Sequence, residues 1–123
     1  MQLPPGSIIA TGPVIIENGK VLLNREEKPI GSELYMFPGG TVKDFALPLE
    51  ESCRREAREE MGIGLNNLRP LRMLVYTRPE DKKLIILAHY LAERVGEIAP
   101  GAETLEWHWF DIHELPANCA PNV

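Results

Sequence analysis

One segment near the middle of the chain constrains the fold more than any other. Pro48 to Met61 predicts a helix, because proline is tolerated near a helix start and Gly62 is a natural stop. Within this segment, apolar side chains recur every four residues and predict a buried stripe, formed by Leu49, Cys53, Ala57 and Met61. The segments on either side are rich in β-forming residues, so a sheet with one helix packed on it is the expected core.

The same helix carries an acidic face beside its apolar stripe. Glu56, Glu59 and Glu60 are spaced i, i+3 and i+4, which spans roughly 100° at about 100° per residue. Carboxylates this close repel each other, and a hard cation such as Mg²⁺ removes that cost while keeping water and phosphate as further ligands. The spacing suggests a phosphate-handling metal site at a cleft rim. Taken alone, it also fits a solvated face with Glu51–Arg55 and Arg55–Glu59 pairs.

The remaining segments predict strands. Asn18-Gly19 is a tight-turn signal, so residues 8–24 read as a hairpin, followed by a loop over 25–32. The segment 84–95 has apolar residues at both odd and even positions, as expected of a strand that is covered on both faces. Further strands are predicted over 41–43, 68–77 and 105–110, with a helical turn over 111–115. This order predicts a mixed sheet with a packed helix, in an α/β fold of the α+β type.

Size and charge limit the classes of function. The 123 residues predict a single domain over 1–123. A net charge of −5 argues against binding to a nucleic-acid backbone, although a small nucleotide fits. Cys53 and Cys119 indicate neither a disulfide framework nor a zinc site. Since the sequence shows no signal-type segment and no membrane-spanning run, the cytoplasm is the expected location.

At residues 55–63, Arg-Glu-Ala-Arg-Glu-Glu-Met-Gly-Ile, the chain resembles the second half of the Nudix hydrolase signature at every fixed position. The glycine pair after Phe37-Pro38 and the Trp109 to Pro116 ending are also similar to that family. The resemblance implies an α/β/α sandwich around a mixed sheet, of MutT-like size. The residues from Asn118 onward resemble the approach to a last helix, so that helix is absent or the chain is shortened.

The first half of the signature departs from the pattern. Counting back from Arg55, its glutamate falls on Leu47, and the spacing from Gly40 is one residue longer than usual. In the family this glutamate supports the arginine or the metal. Three nearby acids are the candidate replacements: Asp44, Glu50 and Glu51.

The resemblance implies a hydrolase that cleaves the pyrophosphate of a nucleoside diphosphate linked to another moiety. It places Mg²⁺ or Mn²⁺ on Glu56, Glu59 and Glu60, with Arg55 orienting a glutamate. Gly39 and Gly40 would support the substrate loop. Glu103, or Glu106 nearby, would be a base or an extra ligand, and Arg25 would contact phosphate. The expected catalytic set is therefore Glu59, Glu56, Arg55 and Glu103.

Several alternatives remain open at this stage. The substrate is a nucleoside triphosphate or a dinucleotide-like diphosphate, and the rival function is a Nudix-fold module that senses a nucleotide or a partner without cleaving it. An unrelated acidic interaction domain is a third reading, and a homodimer is compatible with the sequence. Trp107 and Trp109 are expected in the core, although an aromatic ring can stack on a nucleobase. Structural or surface roles are expected for the three histidines, His89, His108 and His113.

Overall fold

The computed structural model describes residues 4–27, 33–120 and 123, and in these ranges it contains one helix and seven strands. The helix α1 spans Leu49–Met61, close to the predicted bounds. The strands are β1 (Ile8–Val14), β2 (Ile16–Glu17), β3 (Lys20–Glu26), β4 (Gly40–Thr41), β5 (Gly64–Thr77), β6 (Leu84–Val95) and β7 (Thr104–Asp111).

Four strands form the larger sheet, in the order β4-β1-β6-β5. β1 and β6 are parallel, with Ile8 opposite Ile85 and Val14 opposite Leu91, whereas the other neighbouring pairs are antiparallel. The hydroxyl of Thr11 reinforces the parallel pair by donating to the carbonyl of Ala88, at 2.9 Å. The predicted mixed sheet of an α+β fold is therefore confirmed.

The smaller sheet has the order β2-β3-β7, and it corrects the predicted hairpin over 8–24. The turn at Asn18 and Gly19 is present, with φ of 53° and 75°, but it joins β3 to the short β2. β1 instead lies between β4 and β6. Its residues are buried from Thr11 to Val14, which suits an interior strand, and the chain changes sheet near Ile15.

The helix packs its apolar stripe into the main core. Cys53, Ala57 and Met61 are fully buried, and Leu49 packs against the same cluster. Gly62 ends the helix in the left-handed conformation, at φ 67°, and its N–H donates to the carbonyl of Arg58. Among the described residues, α1 is the one helix, so the helical layer lies on one face of the larger sheet.

Strand β7 is an edge strand of the smaller sheet, and its tryptophans contribute to the main core. Trp107 and Trp109 of β7 pack against the main core cluster, as predicted. In place of a helix, the segment after β7 forms one hydrogen-bonded turn, in which the N–H of Glu114 donates to the carbonyl of Asp111, at 3.0 Å. The Asp111 carboxylate also accepts from the N–H of His113, at 2.8 Å. No helix in the described part of the chain is long and apolar enough to cross a membrane.

Candidate active site

The acidic face of α1 borders a cavity of about 490 Å³. Its walls come from the end of β3, from residues 39–43, from α1 and from residues 101–104. Five carboxylate side chains line it: Glu26, Glu56, Glu59, Glu60 and Glu103. Four of these were predicted site residues, so the fold gathers most of the expected acidic set around one space.

Two glycines let the backbone pass between β1 and the helix. A Cβ on Gly39 would lie 2.6 Å from the carbonyl oxygen of Thr11. A Cβ on Gly40 would lie 2.5 Å from Oε2 of Glu56. A side chain at position 39 would clash with β1, and one at position 40 would displace the Glu56 carboxylate. Both predicted glycines line the cavity, and only glycine fits at these two positions.

Arg55 holds Glu56 in place. Its Nη2 lies 2.9 Å from Oε1 of Glu56 and also donates to the carbonyl of Thr41, at 3.2 Å. Its Nε is 3.8 Å from the Glu59 carboxylate, which is an ion pair beyond hydrogen-bond distance. Burial raises the pKa of Glu56, and the hydrogen bond from Arg55 opposes that rise. Arg55 therefore contacts Glu56, which its predicted orienting role requires.

Glu60 is half-buried, between the fully buried Glu56 and the exposed Glu59. Its Oε2 accepts a hydrogen bond from the N–H of Gly39, at 2.8 Å. Its side chain is also in hydrogen-bonding contact with Glu26. Burial, followed by the adjacent Glu26, raises the pKa of Glu60 well above the usual carboxyl range. In the absence of a cation, the folded protein thus favours a proton on this group.

Sequence reasoning missed Glu26, because residues 25–32 were predicted as a loop. The structure corrects this, since β3 continues through Glu26 and buries its side chain to 8% exposure. Leu22, Asn24 and Glu26 have the same parity and are all buried. No alternation marks Glu26 in the sequence, because β3 is buried at both parities from Val21 to Asn24 and its register shifts between Arg25 and Glu26. The rest of that predicted loop, 28–32, lies outside the described residues.

Backbone contacts fix the far wall of the cavity to the end of α1. The N–H of Gly101 and the hydroxyl of Thr104 both donate to the carbonyl of Glu60, at 2.8 and 3.2 Å. The N–H of Glu27 donates to the carbonyl of Glu103, at 2.9 Å. Glu103 is exposed at the rim of the cavity, where the sequence-based assignment expected an acidic residue.

Arg25, the predicted phosphate contact, is not among the residues that line this cavity. Its Nη2 lies 2.9 Å from the Glu106 carboxylate, and its Cζ lies 5.9 Å from the ring centre of Tyr35. Arg25 follows the buried Asn24 along β3 and therefore points to the opposite face. Glu106, the alternative to Glu103, is engaged in the same pair.

The three acids that could replace the glutamate missing at Leu47 make contacts elsewhere. Asp44 accepts from the N–H of Ala46, at 2.9 Å, and Glu51 pairs with Arg54, at 3.4 Å. Glu50 accepts from the Tyr90 hydroxyl, at 3.4 Å. Leu47 itself is 49% exposed. Arg55 therefore relies on Glu56, Glu59 and the Thr41 carbonyl rather than on an acid before the helix.

The donor chemistry of the cavity suits a hard divalent cation. Within residues 4–27, 33–120 and 123, no cluster of three or more His, Cys, Asp or Glu side chains is arranged to hold a metal ion unaided. Mg²⁺ does not need one, because it is commonly bound through one or two carboxylates together with water and phosphate oxygens. The enclosed carboxylates of Glu56 and Glu60, with Glu59 at the surface, fit that mode of binding.

A second cavity, of about 210 Å³, adjoins the first and shares Gly39, Gly40 and Thr41 with it. Its walls combine aromatic and aliphatic side chains, Phe37 and Tyr76 among them, with polar ones that include Arg78 and His89. His89 is 3% exposed, and burial together with the Arg72 charge lowers its pKa to about 4. Sequence reasoning expected a structural or surface role for His89, because the three histidines are isolated in the sequence.

The comparisons with known proteins agree with this geometry. The family model for the NUDIX domain matches residues 8–122. The NAD-capped RNA hydrolase NudC of Chromobacterium violaceum is 31% identical over 104 residues, which is 84% of this chain. This chain spans 38% of the length of that relative.

Solved structures resemble the whole fold. A MutT NUDIX hydrolase from Burkholderia pseudomallei superposes with a TM-score of 0.87 at 24% identity, covering 94% of this chain and 92% of the other. A NUDIX-family hydrolase from Clostridium perfringens gives a TM-score of 0.74 at 21% identity, covering 93% and 89%. With the family model covering nearly the whole sequence, the chain belongs to the Nudix family, as its MutT-like signature implied.

Proposed function

We propose that this protein is a Nudix pyrophosphohydrolase that uses Mg²⁺ or Mn²⁺ to cleave a nucleoside diphosphate linked to another moiety. The observation that carries the proposal is the convergence of five glutamates on one cavity beside the Gly39-Gly40 turn. Family membership supports the reaction class, and the carboxylate donors support the choice of a hard cation.

The contacts of the cavity residues suggest a role for each of them. Glu56, Glu59 and Glu60 would hold the cation, with Glu56 oriented by Arg55 and Glu60 by the N–H of Gly39. When bound, a divalent cation supplies positive charge that neutralises phosphate oxygens and makes water a better nucleophile. Because Arg55 and the glycine turn fix two carboxylates before substrate arrives, little reorganisation is needed during the reaction.

We infer that Glu103 would act as the general base. Glu103 is exposed at the rim of the cavity that the helix glutamates also line. Water would attack a phosphorus atom of the pyrophosphate, its proton would pass to the Glu103 carboxylate, and the bridging P–O bond would break. The products are two phosphate-bearing fragments, whose identity depends on which phosphorus is attacked.

The substrate would be a nucleoside triphosphate or a dinucleotide-like diphosphate. A cavity lined by carboxylates and an adjoining cavity with aromatic side chains in its walls meet at Gly39, Gly40 and Thr41. This pairing suits a molecule with a charged phosphate part and a flat apolar part. The NudC relative is named as a hydrolase of NAD-capped RNA, which keeps the dinucleotide-like class in the panel to be tested.

The test is incubation of the purified protein with nucleoside triphosphates, ADP-ribose, NADH, diadenosine polyphosphates and nucleotide sugars, each with Mg²⁺, with Mn²⁺ or with a chelator. We expect metal-dependent cleavage at a pyrophosphate and a loss of about 100-fold or more in Glu59→Gln. Glu106→Gln is the matched control, because Glu106 pairs with Arg25 outside the cavity. Metal-dependent binding without cleavage of any compound would favour the sensor function instead.

A further inference from the structure

The second cavity contains a histidine, His89, that another side chain holds in one tautomer of its neutral ring. The Nε–H of Arg72 donates to Nδ1 of His89, at 3.1 Å. The Arg72 Cζ lies 5.6 Å from the ring centre of Phe37, and the Phe37 and His89 rings meet edge to face at 4.9 Å. The three side chains brace each other at the wall of the cavity.

The direction of this hydrogen bond determines what His89 offers a ligand. A neutral imidazole has one donor nitrogen and one acceptor nitrogen. Since Nδ1 accepts from Arg72, the ring proton must lie on Nε2. His89 therefore carries a fixed donor among the aliphatic and aromatic side chains of this cavity.

We propose that the cavity of about 210 Å³ binds the heterocyclic base of the substrate, with the Nε2–H of His89 donating to a ring nitrogen or carbonyl oxygen of that base. Arg72 is a positioning residue in this scheme, because it acts by keeping His89 in the donor form. Phe37 and Tyr76 supply aromatic surface for the base. The proposal rests on the proposed function, since it names the moiety carried beside the pyrophosphate.

The surroundings of His89 favour a base over a sugar or a second phosphate. The walls include the aliphatic side chains of Ile8, Ile85 and Leu87. Two of the polar side chains in the walls are already engaged, since Thr11 donates to the carbonyl of Ala88 and Arg78 donates to Asp81, at 3.0 Å. A flat heterocycle instead buries two apolar faces and presents acceptors only at its edge. A buried donor that loses its partner costs binding energy, so a ligand without an edge acceptor is disfavoured.

The test measures binding without turnover, by calorimetry with the four nucleoside 5′-monophosphates and with ribose 5-phosphate as the base-free probe. His89→Leu removes the donor, whereas His89→Gln keeps an N–H donor. We expect His89→Leu to weaken the best-bound monophosphate about tenfold, His89→Gln to restore part of the loss, and ribose 5-phosphate to bind equally weakly to all three proteins. Circular dichroism checks that the variants fold.

A spectroscopic readout separates the role of Arg72 from a purely structural one. In protein labelled with ¹⁵N at histidine, wild type is expected to show a protonated Nε2 and an unprotonated Nδ1 at position 89. Arg72→Met is expected to mix the two forms and to weaken monophosphate binding as His89→Leu does. Unchanged nitrogen shifts in Arg72→Met would overturn its positioning role.

The outcomes distinguish this proposal from the proposed function. Equal monophosphate affinity in wild type and His89→Leu, or an equal loss for ribose 5-phosphate, would overturn the base site even if pyrophosphate cleavage is observed. Base-dependent binding that requires His89, in a protein that cleaves no substrate, would support the base site and overturn the hydrolase.

Discussion

The N–H of Gly39 donates a hydrogen bond to the Glu60 carboxylate, with 2.8 Å between N and Oε2. This bond joins the glycine turn to the last turn of α1 across 21 positions of sequence. It brings the two parts of the Nudix signature into direct contact before any ligand is bound. The consequences for activity and stability can be tested through the side chains around it.

Replacing Gly40 with alanine should damage the site more than the fold. The added Cβ would lie 2.5 Å from Oε2 of Glu56, a carboxylate that Arg55 holds at 2.9 Å. Because the Glu56 side chain must move to make room, we expect kcat/KM to fall about 100-fold with a small change in Tm. Gly64→Ala is the control, since its Cβ would make an ordinary contact with Val95 at 3.5 Å. Equal activity in both variants would contradict the steric account.

Replacing Glu26 with glutamine should change how stability depends on pH. The pKa of Glu60 is raised by burial and then by Glu26, so the folded state binds more protons than the unfolded state above the usual carboxyl pKa. The stability of the metal-free protein should therefore fall as pH rises from about 4.5 upwards. Glu26→Gln removes one cause of the raised pKa, so its stability should decline less.

The measurement for Glu26 is Tm between pH 5 and pH 8 in a chelating buffer. Glu27→Gln serves as the control, because Glu27 is the exposed neighbour of Glu26. We also expect weaker Mn²⁺ binding in Glu26→Gln, which calorimetry can detect. Parallel Tm profiles for wild type and both variants would show that Glu26 does not influence Glu60.

The buried His89 predicts a loss of stability in acid. Its pKa is lowered from 6.5 to about 4 in the folded state, so the unfolded state binds the extra proton first as pH falls. Stability from the neutral ring is present above pH 6.5 and is lost progressively towards pH 4, by on the order of 3 kcal/mol at about 1.4 kcal/mol per pKa unit.

Comparison with His89→Gln isolates this contribution. The difference in unfolding free energy between wild type and His89→Gln should shift against wild type between pH 7 and pH 4, as measured by urea denaturation. His113→Gln is the control, because His113 is exposed. A shift of the same size in His113→Gln would assign the acid sensitivity to general charge rather than to burial.

Restoring the carboxylate that the signature lacks should strengthen the site. Leu47 is 49% exposed, so Leu47→Glu buries no new charge and is expected to leave Tm unchanged. We expect a severalfold gain in kcat/KM or in Mn²⁺ affinity, because a further acid near the start of α1 would support Arg55 or the cation. Leu47→Gln matches it in size without the charge. If Leu47→Glu and Leu47→Gln behave alike, the carboxylates already in the cavity are sufficient.

Local periodicity made the helix and its acidic face predictable. Glu56, Glu59 and Glu60 lie on one helix, so their spacing alone brings them together, and Arg55 reaches Glu56 as its direct neighbour. The contribution of Glu26 depends on how far β3 extends and on which strands flank it, and short-range patterns do not carry that information. The same limit hid His89, whose access to a cavity depends on the Phe37 loop and on Arg72 of β5.

The predicted hairpin failed for a related reason. The turn at Asn18 and Gly19 was correct, because turn preference is encoded in two adjacent residues. The partner of β1 was not, since pairing with β6 joins residues far apart in sequence. The β-propensity of a segment predicts that it forms a strand, but it does not predict which other strand it pairs with.

The parallel pairing of β1 with β6 has a consequence for biosynthesis. Thr11 and Ala88 meet across 77 positions, and Gly39 lies against Thr11. During translation the signature helix therefore leaves the ribosome long before the strand that anchors β1. Such long-range closure slows folding, because the entropy lost in ordering the intervening chain must be overcome first. A nascent chain halted before β6 would carry every signature residue and still lack a working centre.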